Sequence, residues 1–328
     1  MVTVVTGASG FLGSVVVRDL LATGRQVRAV DLHRGPAFDG LDVEWVQADV
    51  TDPSTLEPAF REATVVYHLA AMISVTGDPT GRVRAVNVDG VRNASQAALT
   101  AGVSRFVHCS SVHAFDLETT EEPINEQSAR ATNPALPAYD RSKAAGEAAL
   151  RQVIEQGLDA TIVNPTGIIG PFDFAPSRMG QVFLALAQRR LPAVIDAGFD
   201  WVDVRDVSAA ALSAETRGRT GENYLLPGHH VSLTQIAAIA EEITGTPAPR
   251  WKFPMRLARV WGPIGDIAGR RTDSVLWYTS ESLHALRFSP AVSGAKAATE
   301  LGHHPRPFFD SVEDTYRWFD AQDIPIAP

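Results

Sequence analysis

The sequence predicts an α/β fold, a doubly wound parallel sheet wrapped by helices and followed by a smaller C-terminal substrate-binding cap. Three observations carry this reading. Short β-rich apolar runs alternate with longer helical patterns through the first half of the chain. The first of these runs passes directly through a glycine-rich turn into a helix, and after Asn164 the alternation breaks into sequence dense in proline and glycine.

The elements follow in order. Strands are predicted at Val2–Thr6, Val27–Leu32, Val43–Ala48, Val65–Leu69, Arg105–Ser110 and Ala160–Val163. A helix from Phe11 to about Thr23 carries Val15, Val16, Leu20 and Leu21 on one face and stops at Gly24. A second runs from about Tyr139 to Gln156 and stops at Gly157. Beyond Asn164 come Pro165, Gly167, Gly170, Pro171, Pro176 and Gly180, then a strand-and-helix stretch around Trp201–Ala214 and helices near Ser232–Thr244 and Asp310–Phe319. Trp251–Arg270, with Met255, Leu257, Trp261 and Ile264, reads as a cap helix interrupted by Pro254 and Pro263. The expected division is a nucleotide-binding domain over 1–165, rejoined by 200–226, and a cap over 166–199 and 227–328.

Composition narrows the function. The 328 residues are 45% hydrophobic and 20% charged, ordinary for a globular protein. A formal charge of -9 argues against nucleic acid as a partner, because no basic cluster neutralises a polyanion. Cys109 is the single cysteine, so no intramolecular disulfide forms, which suits a reducing, cytoplasmic location. No basic leader precedes the apolar strand at Val2, and the uncharged stretch Asn223 to Ala240 lacks the apolar continuity of a membrane span. Without a secretory route, the acceptor motif Asn93-Ala94-Ser95 is a chance match.

The turn Thr6-Gly7-Ala8-Ser9-Gly10-Phe11-Leu12-Gly13 sits between the first strand and the first helix. Gly7 permits a tight turn, Gly10 lets backbone approach a pyrophosphate, and Gly13 lets the helix pack on the strand. The helix N-terminus offers free N–H groups to phosphate. Glycines alone serve turns everywhere; this placement is what points to a Rossmann dinucleotide site. Asp31, 18 residues past Gly13, ends the second strand where a carboxylate bonds the ribose hydroxyls of NAD and repels the phosphate of NADP. It also reads as an ordinary surface aspartate, and nearby Arg34 suits NADP. Asp49 and Val50 follow the third strand, where adenine would lie, or where a plain turn aspartate would do.

Tyr139 and Lys143 lie four residues apart and so share one helix face. An unperturbed phenol titrates near pH ~10, and a neighbouring ammonium and an oxidised nicotinamide both favour phenolate. Ser111, at the end of the fifth strand, is placed to hold a reacting oxygen toward Tyr139. Any helix can carry Tyr and Lys at this spacing; the glycine turn and the serine give the pair its weight.

Taken together, Thr6-Gly7-x-x-Gly10-x-x-Gly13, Asp49-Val50, His68-Leu69-Ala70-Ala71, Asn87-Val88-x-Gly90, Ser110-Ser111, Tyr139-x-x-x-Lys143 and Gly170-Pro171 resemble the extended short-chain dehydrogenases/reductases. Within these the chain looks most like the dihydroflavonol-4-reductase and 3β-hydroxysteroid-dehydrogenase-like branch. The segments Trp201–Val207 and Leu301–Pro307 support that placement more loosely. The resemblance implies Tyr139 as general acid/base, with Lys143 bonding the nicotinamide ribose and lowering the tyrosine's pKa. It implies Ser111 as orienter of the substrate oxygen. Leu69, Ala70 and Ala71 would line the ribose, Asn87 would support the cofactor site, and Pro165 would hold the carboxamide. It also implies a homodimer through helices near Arg92–Ala101 and Ala144–Ile154, whose alanines allow close approach.

The expected function is hydride transfer between NAD, or NADP, and a ketone or secondary alcohol. Dehydratases of the family carry an acidic pair after the catalytic serine, where this chain has Val112-His113-Ala114. Phe172, Phe174, Met179 and Phe183 suit an apolar or aromatic carbonyl compound, or simply fill the cap's core. Sugar-nucleotide epimerisation stays open, since Arg178 and Arg205 suit a diphosphate. A dinucleotide-sensing module without catalysis is the alternative of another class. The paired histidines His229-His230 and His303-His304 lack acidic or cysteine partners at ligand spacing, so no metal site is expected. His113, two residues after Ser111, reads as a polar residue beside the cleft or as one that touches substrate, and Cys109 as a small buried strand residue.

Overall fold

Strands β1 (Val2–Thr6), β2 (Gln26–Asp31), β3 (Glu44–Gln47), β4 (Ala63–His68), β5 (Arg105–Cys109) and β6 (Ala160–Pro165) pair in parallel, in the order β6-β5-β4-β1-β2-β3. This computed structural model describes residues 2–118, 123–191, 193–195, 197–253, 284 and 286–326. Each predicted strand is present, with ends moved by one or two residues. β6 continues through Asn164 and Pro165, where the amide of Asn164 is buried and hydrogen-bonded rather than solvated. A seventh parallel strand, Asn223–Leu226, pairs with β6 at the sheet edge.

Helices cover both faces, as a parallel sheet with apolar strands requires. α1 (Phe11–Ala22) buries Val15, Val16 and Leu20 and ends where Gly24 turns left-handed at φ 78°. α2 (Pro53–Ala59) is capped by the Asp52 carboxylate. A short helix α3 (Arg82–Arg84) passes through a π-helical turn, Ala85–Asp89, into α4 (Gly90–Thr100). α5 (Ala138–Ile154) matches the predicted helix and is followed by Gly157 at φ 111°.

The later chain builds a second layer. β7 (Gly167–Ile169), β9 (Gly198–Asp203) and β11 (His229–Ser232) form one small sheet. β8 (Ala193–Ile195) and β12 (Trp251–Phe253) form another. With α6 (Arg178–Ala187), α8 (Leu233–Thr244) and a C-terminal helix at Phe308–Ala321 they enclose a core containing Phe183, Ile236, Val312 and Phe319.

Two segments depart from the expected layout. Trp251–Phe253 is a strand rather than the start of a cap helix, and the rest of that predicted helix lies outside the described residues. α9 (Ala295–Leu301), expected with the cap, packs on α7 (Val204–Arg217) and β10 (Asn223–Leu226). Ala297 and Leu301 lie four residues apart on one helix face and enter the core beneath the large sheet. The C-terminal helix is α10. Among the described residues no helix is long and apolar enough to cross a membrane.

Candidate active site

The predicted site residues gather at one edge of the sheet, the C-terminal ends of the strands. Gly7 follows β1, Leu69 follows β4 and Ser111 follows β5; Asp31 and Pro165 end β2 and β6. Strand order reverses between β1 and β4, and that crevice is where open parallel sheets bind ligands.

The three glycines are demanded by close approach. Gly7 sits at φ 67°, and a Cβ there would meet the Ala70 backbone N at 2.6 Å. A Cβ on Gly13 would run into the Gly7 carbonyl oxygen, so only glycine lets α1 descend onto the turn. Gly10 differs: its Cβ position meets nothing within 4 Å beyond the Gly7 carbonyl oxygen at 3.1 Å, leaving that flank open. Gly10 is also the N-cap of α1, with no side chain closing the helix end. The N–H groups of Phe11, Leu12 and Gly13 in that first turn are thus placed to receive phosphate oxygens. Uncapped donors beside an unobstructed glycine fit a dinucleotide's pyrophosphate.

Asp31 accepts the Ser9 N–H at 2.8 Å and the Leu32 N–H at 2.7 Å, one on each carboxylate oxygen. Each oxygen keeps a lone pair for a ribose hydroxyl. Ser9 Oγ donates to the His33 carbonyl at 2.7 Å and accepts the Gly35 N–H at 3.3 Å, clamping the loop that carries exposed Arg34 to the turn. Asp49 is tied up locally by the Thr51 N–H and hydroxyl, at 2.8 and 2.7 Å. Val50 is buried against Gly90, where a Cβ would come within 2.8 Å of it.

Asn87 holds the protein's own chain. Its Oδ1 accepts the Met72 N–H at 2.8 Å, while Nδ2 donates to the Met72 carbonyl and to Ser142 Oγ, both at 2.9 Å. The π-helical turn carries Asn87 into this position, fixing the loop after Ala70 and Ala71 to α5. A missing side chain completes the fit, because a Cβ on Gly146 would overlap the Asn87 carbonyl oxygen.

At the reactive end, the Ser111 side chain lies beside the Tyr139 phenol. Burial pushes that phenol above its ordinary value and Ser111 pulls the other way. Lys143 Nζ donates to the Cys109 carbonyl at 3.2 Å, and burial pulls its ammonium below the usual range. Desolvation is the largest influence on Tyr139. Cys109 is buried, its thiol pushed up to about 11, as a structural strand residue.

Two features go beyond the sequence reading. Glu147, one turn beyond Lys143 and 2% exposed, accepts from Asn164 Nδ2 at 2.7 Å and Asn223 Nδ2 at 3.0 Å, and faces Arg130 Nη1 at 3.1 Å. Asn164 Nδ2 also reaches the Ser111 carbonyl at 2.9 Å. The only sequence signal was the i, i+4 spacing of Glu147 from Lys143, which an exposed helix face would share. The second is His113, whose Nδ1 lies 3.1 Å from Asp140 Oδ1 and whose ring meets Tyr139 edge-on.

Arg205, expected as a diphosphate clamp, is committed elsewhere: it bonds Asp203 through Nε and Nη2 and Asp314 through Nη1. Its neighbour Arg306 pairs with Asp206 at 2.8 Å. His229 Nε2 and His303 Nε2 lie 2.9 and 2.7 Å from the carbonyls of Arg306 and Pro227. Among the described residues no three His, Cys, Asp or Glu side chains converge on a metal position.

Comparison with known proteins agrees with this geometry. A curated protein named sterol demethylase protein B, from Methylococcus capsulatus, is 35% identical, with 97% of this chain and 98% of that one covered. One from Synechocystis sp., named "Putative dihydroflavonol 4-reductase", is 32% identical over 96% of this chain and 93% of that one. The crystal structure of gox2253 superposes with a TM-score of 0.85 at 32% identity, covering 98% of this chain and 99% of that chain. The profile of the NAD dependent epimerase/dehydratase family matches residues 3–226, and with these full-length relatives it shows that the chain belongs to that family.

Proposed function

We propose that the protein is an oxidoreductase that moves a hydride between NAD and a secondary alcohol or ketone, with Tyr139 as the proton donor and acceptor. The observation that carries this reading is the meeting of Ser111, Tyr139 and Lys143 at the sheet edge that also holds the uncapped end of α1. Gly7, Gly10 and the first turn of α1 would hold the pyrophosphate, Asp31 the adenosine ribose, Ala70, Ala71 and Lys143 the nicotinamide ribose, and Pro165 the carboxamide. Bound NAD supplies the hydride acceptor, or in its reduced form the donor.

The chain's residues manage the proton. Ser111 and Tyr139 both hydrogen-bond the substrate oxygen, which fixes the reacting carbon in one pose. In the oxidative direction Tyr139 takes the alcohol proton as the carbonyl forms; in reduction it returns that proton. Without a neighbouring positive charge, burial keeps Tyr139 a phenol. The oxidised ring and a Lys143 released from the Cys109 carbonyl would together stabilise phenolate. The enzyme's base would then form only once the cofactor is in place.

The layer formed by β7, β9, β11 and α6 is read as the cap over this site, with Phe199 on β9 stacked on His113. Commitment of Arg205 to Asp203 and Asp314 favours an uncharged carbonyl compound over a diphosphate. Association of two copies through α4 and α5 is also proposed, although Ala94, Ala98 and Ala149 are buried within the chain itself. Ala97, Ala101, Ala145 and Ala148 remain at least partly exposed, so that surface is narrower than the sequence suggests.

The test is a panel of secondary alcohols and ketones followed by NADH absorbance, alongside UDP-glucose followed for epimerisation. NADH production from an alcohol supports the proposal. Sugar epimerisation with no net change in NADH would replace it.

A further inference from the structure

His113 is held from four sides. Its backbone N–H reaches Ser111 Oγ at 3.3 Å, and its Nδ1 lies 3.1 Å from Asp140 Oδ1. Its ring stacks on Phe199, centroids 5.8 Å apart and planes inclined 12°, and meets the Tyr139 ring edge-on at 5.7 Å. Asp140 is buried in the first turn of α5, so its carboxylate is a fixed partner. Nδ1 is buried and meets Asp140 as a close charge contact rather than an aligned hydrogen bond, while the His113 side chain stays 17% exposed. The open part of the ring is thus the edge bearing Nε2, opposite Asp140. An imidazole oriented through one nitrogen by a carboxylate, with the other left open, recurs where histidine contacts a reacting molecule. A histidine serving only as packing would not need a buried carboxylate beside Nδ1.

We propose that His113 is a substrate-contacting, specificity-determining residue, whose Nε2 accepts a hydrogen bond from a substrate hydroxyl beside the reacting carbon. In the neutral ring, Nδ1–H faces Asp140 and Nε2 presents its lone pair. The substrate class is then a hydroxy ketone, or the corresponding diol, with an apolar remainder over Phe199. This inference rests on the oxidoreductase reading above.

The experiment compares kcat/KM of the full-length enzyme with NAD for cyclohexanol and for trans-1,2-cyclohexanediol, in wild type, His113→Phe and His113→Gln. One hydrogen bond to a neutral acceptor corresponds to a preference of about tenfold. Wild type is expected to favour the diol by that factor. His113→Phe keeps a ring against Phe199 and should bring the ratio to about one, whichever way the absolute rates move. His113→Gln restores an acceptor and should recover part of the preference. Turnover of both alcohols with no preference in wild type, or an undiminished preference in His113→Phe, overturns the assignment of His113 alone. Absence of NADH formation from either alcohol, with NAD binding shown by calorimetry, counts against the oxidoreductase reading and takes this inference with it.

Discussion

Asn164 joins Glu147 to Ser111: one amide nitrogen lies 2.7 Å from the Glu147 carboxylate and 2.9 Å from the Ser111 carbonyl. The helix carrying Tyr139 and Lys143 is thereby tied to the strand end carrying the serine. Glu147 is buried among Asn164, Asn223 and Arg130, so removing its carboxylate strands three polar groups. Glu147→Ala is expected to cost roughly 3 kcal/mol in urea unfolding, since breaking a buried charged network leaves unpaired groups. Glu147→Gln keeps an acceptor for Asn164 and should cost less than half as much. Equal stability of Glu147→Ala and wild type would show that the network does not hold α5.

Glycine substitutions separate close approach from backbone strain. A Cβ on Gly13 would strike the Gly7 carbonyl oxygen, a backbone atom that cannot rotate away. Gly13→Ala should lose NAD binding by calorimetry and about 3 kcal/mol of stability. Gly24 sits at φ 78° with nothing within 4 Å of its Cβ position. Gly24→Ala should cost only the left-handed strain, about 1 kcal/mol, and bind NAD normally.

Asp173 gives the pH prediction. Burial raises its carboxyl from the ordinary 3.8 to about 6, against the pull of the Ser177 N–H. A folded-state pKa above the unfolded value means that the contribution is fully present below about pH 4. It is lost as pH rises through about 6. The loss amounts to roughly 3 kcal/mol from the ionised form's desolvation. Asp173→Asn should therefore raise the melting temperature at pH 7.5 and change it little at pH 4. A uniform shift at both pH values would contradict the assignment.

Cofactor choice follows from Asp31, whose carboxylate is anchored by Ser9 and Leu32. Asp31→Asn removes the charge and keeps one of the two acceptor oxygens, the other becoming an NH2 donor. It should weaken NAD binding about tenfold and strengthen NADP binding, read by fluorescence of the reduced cofactors. An unaltered NAD-to-NADP ratio would place the ribose elsewhere.

The sheet and the glycine turn were legible because short continuous apolar runs and glycine spacing are local signals. The course of β6 past Val163 was not, since Asn164 continues the strand only through partners brought from α5 and β10. Asn87 was placed correctly in the chain but assigned to the cofactor. Its π-helical turn and its bonds to Met72 leave no mark in the sequence. Arg205 looked like a free clamp because Asp314, one of its two partners, lies more than a hundred residues away. Pairings of that range are set by tertiary packing, which also decided the siting of α9.

The most direct test of the central claim is Tyr139→Phe. It keeps the ring edge against His113 and removes only the hydroxyl beside Ser111. NAD affinity by calorimetry should stay within about threefold of wild type. NADH formation from whichever secondary alcohol wild type oxidises should fall by a factor of about a hundred or more. Wild-type turnover in Tyr139→Phe with NAD still bound would contradict the account.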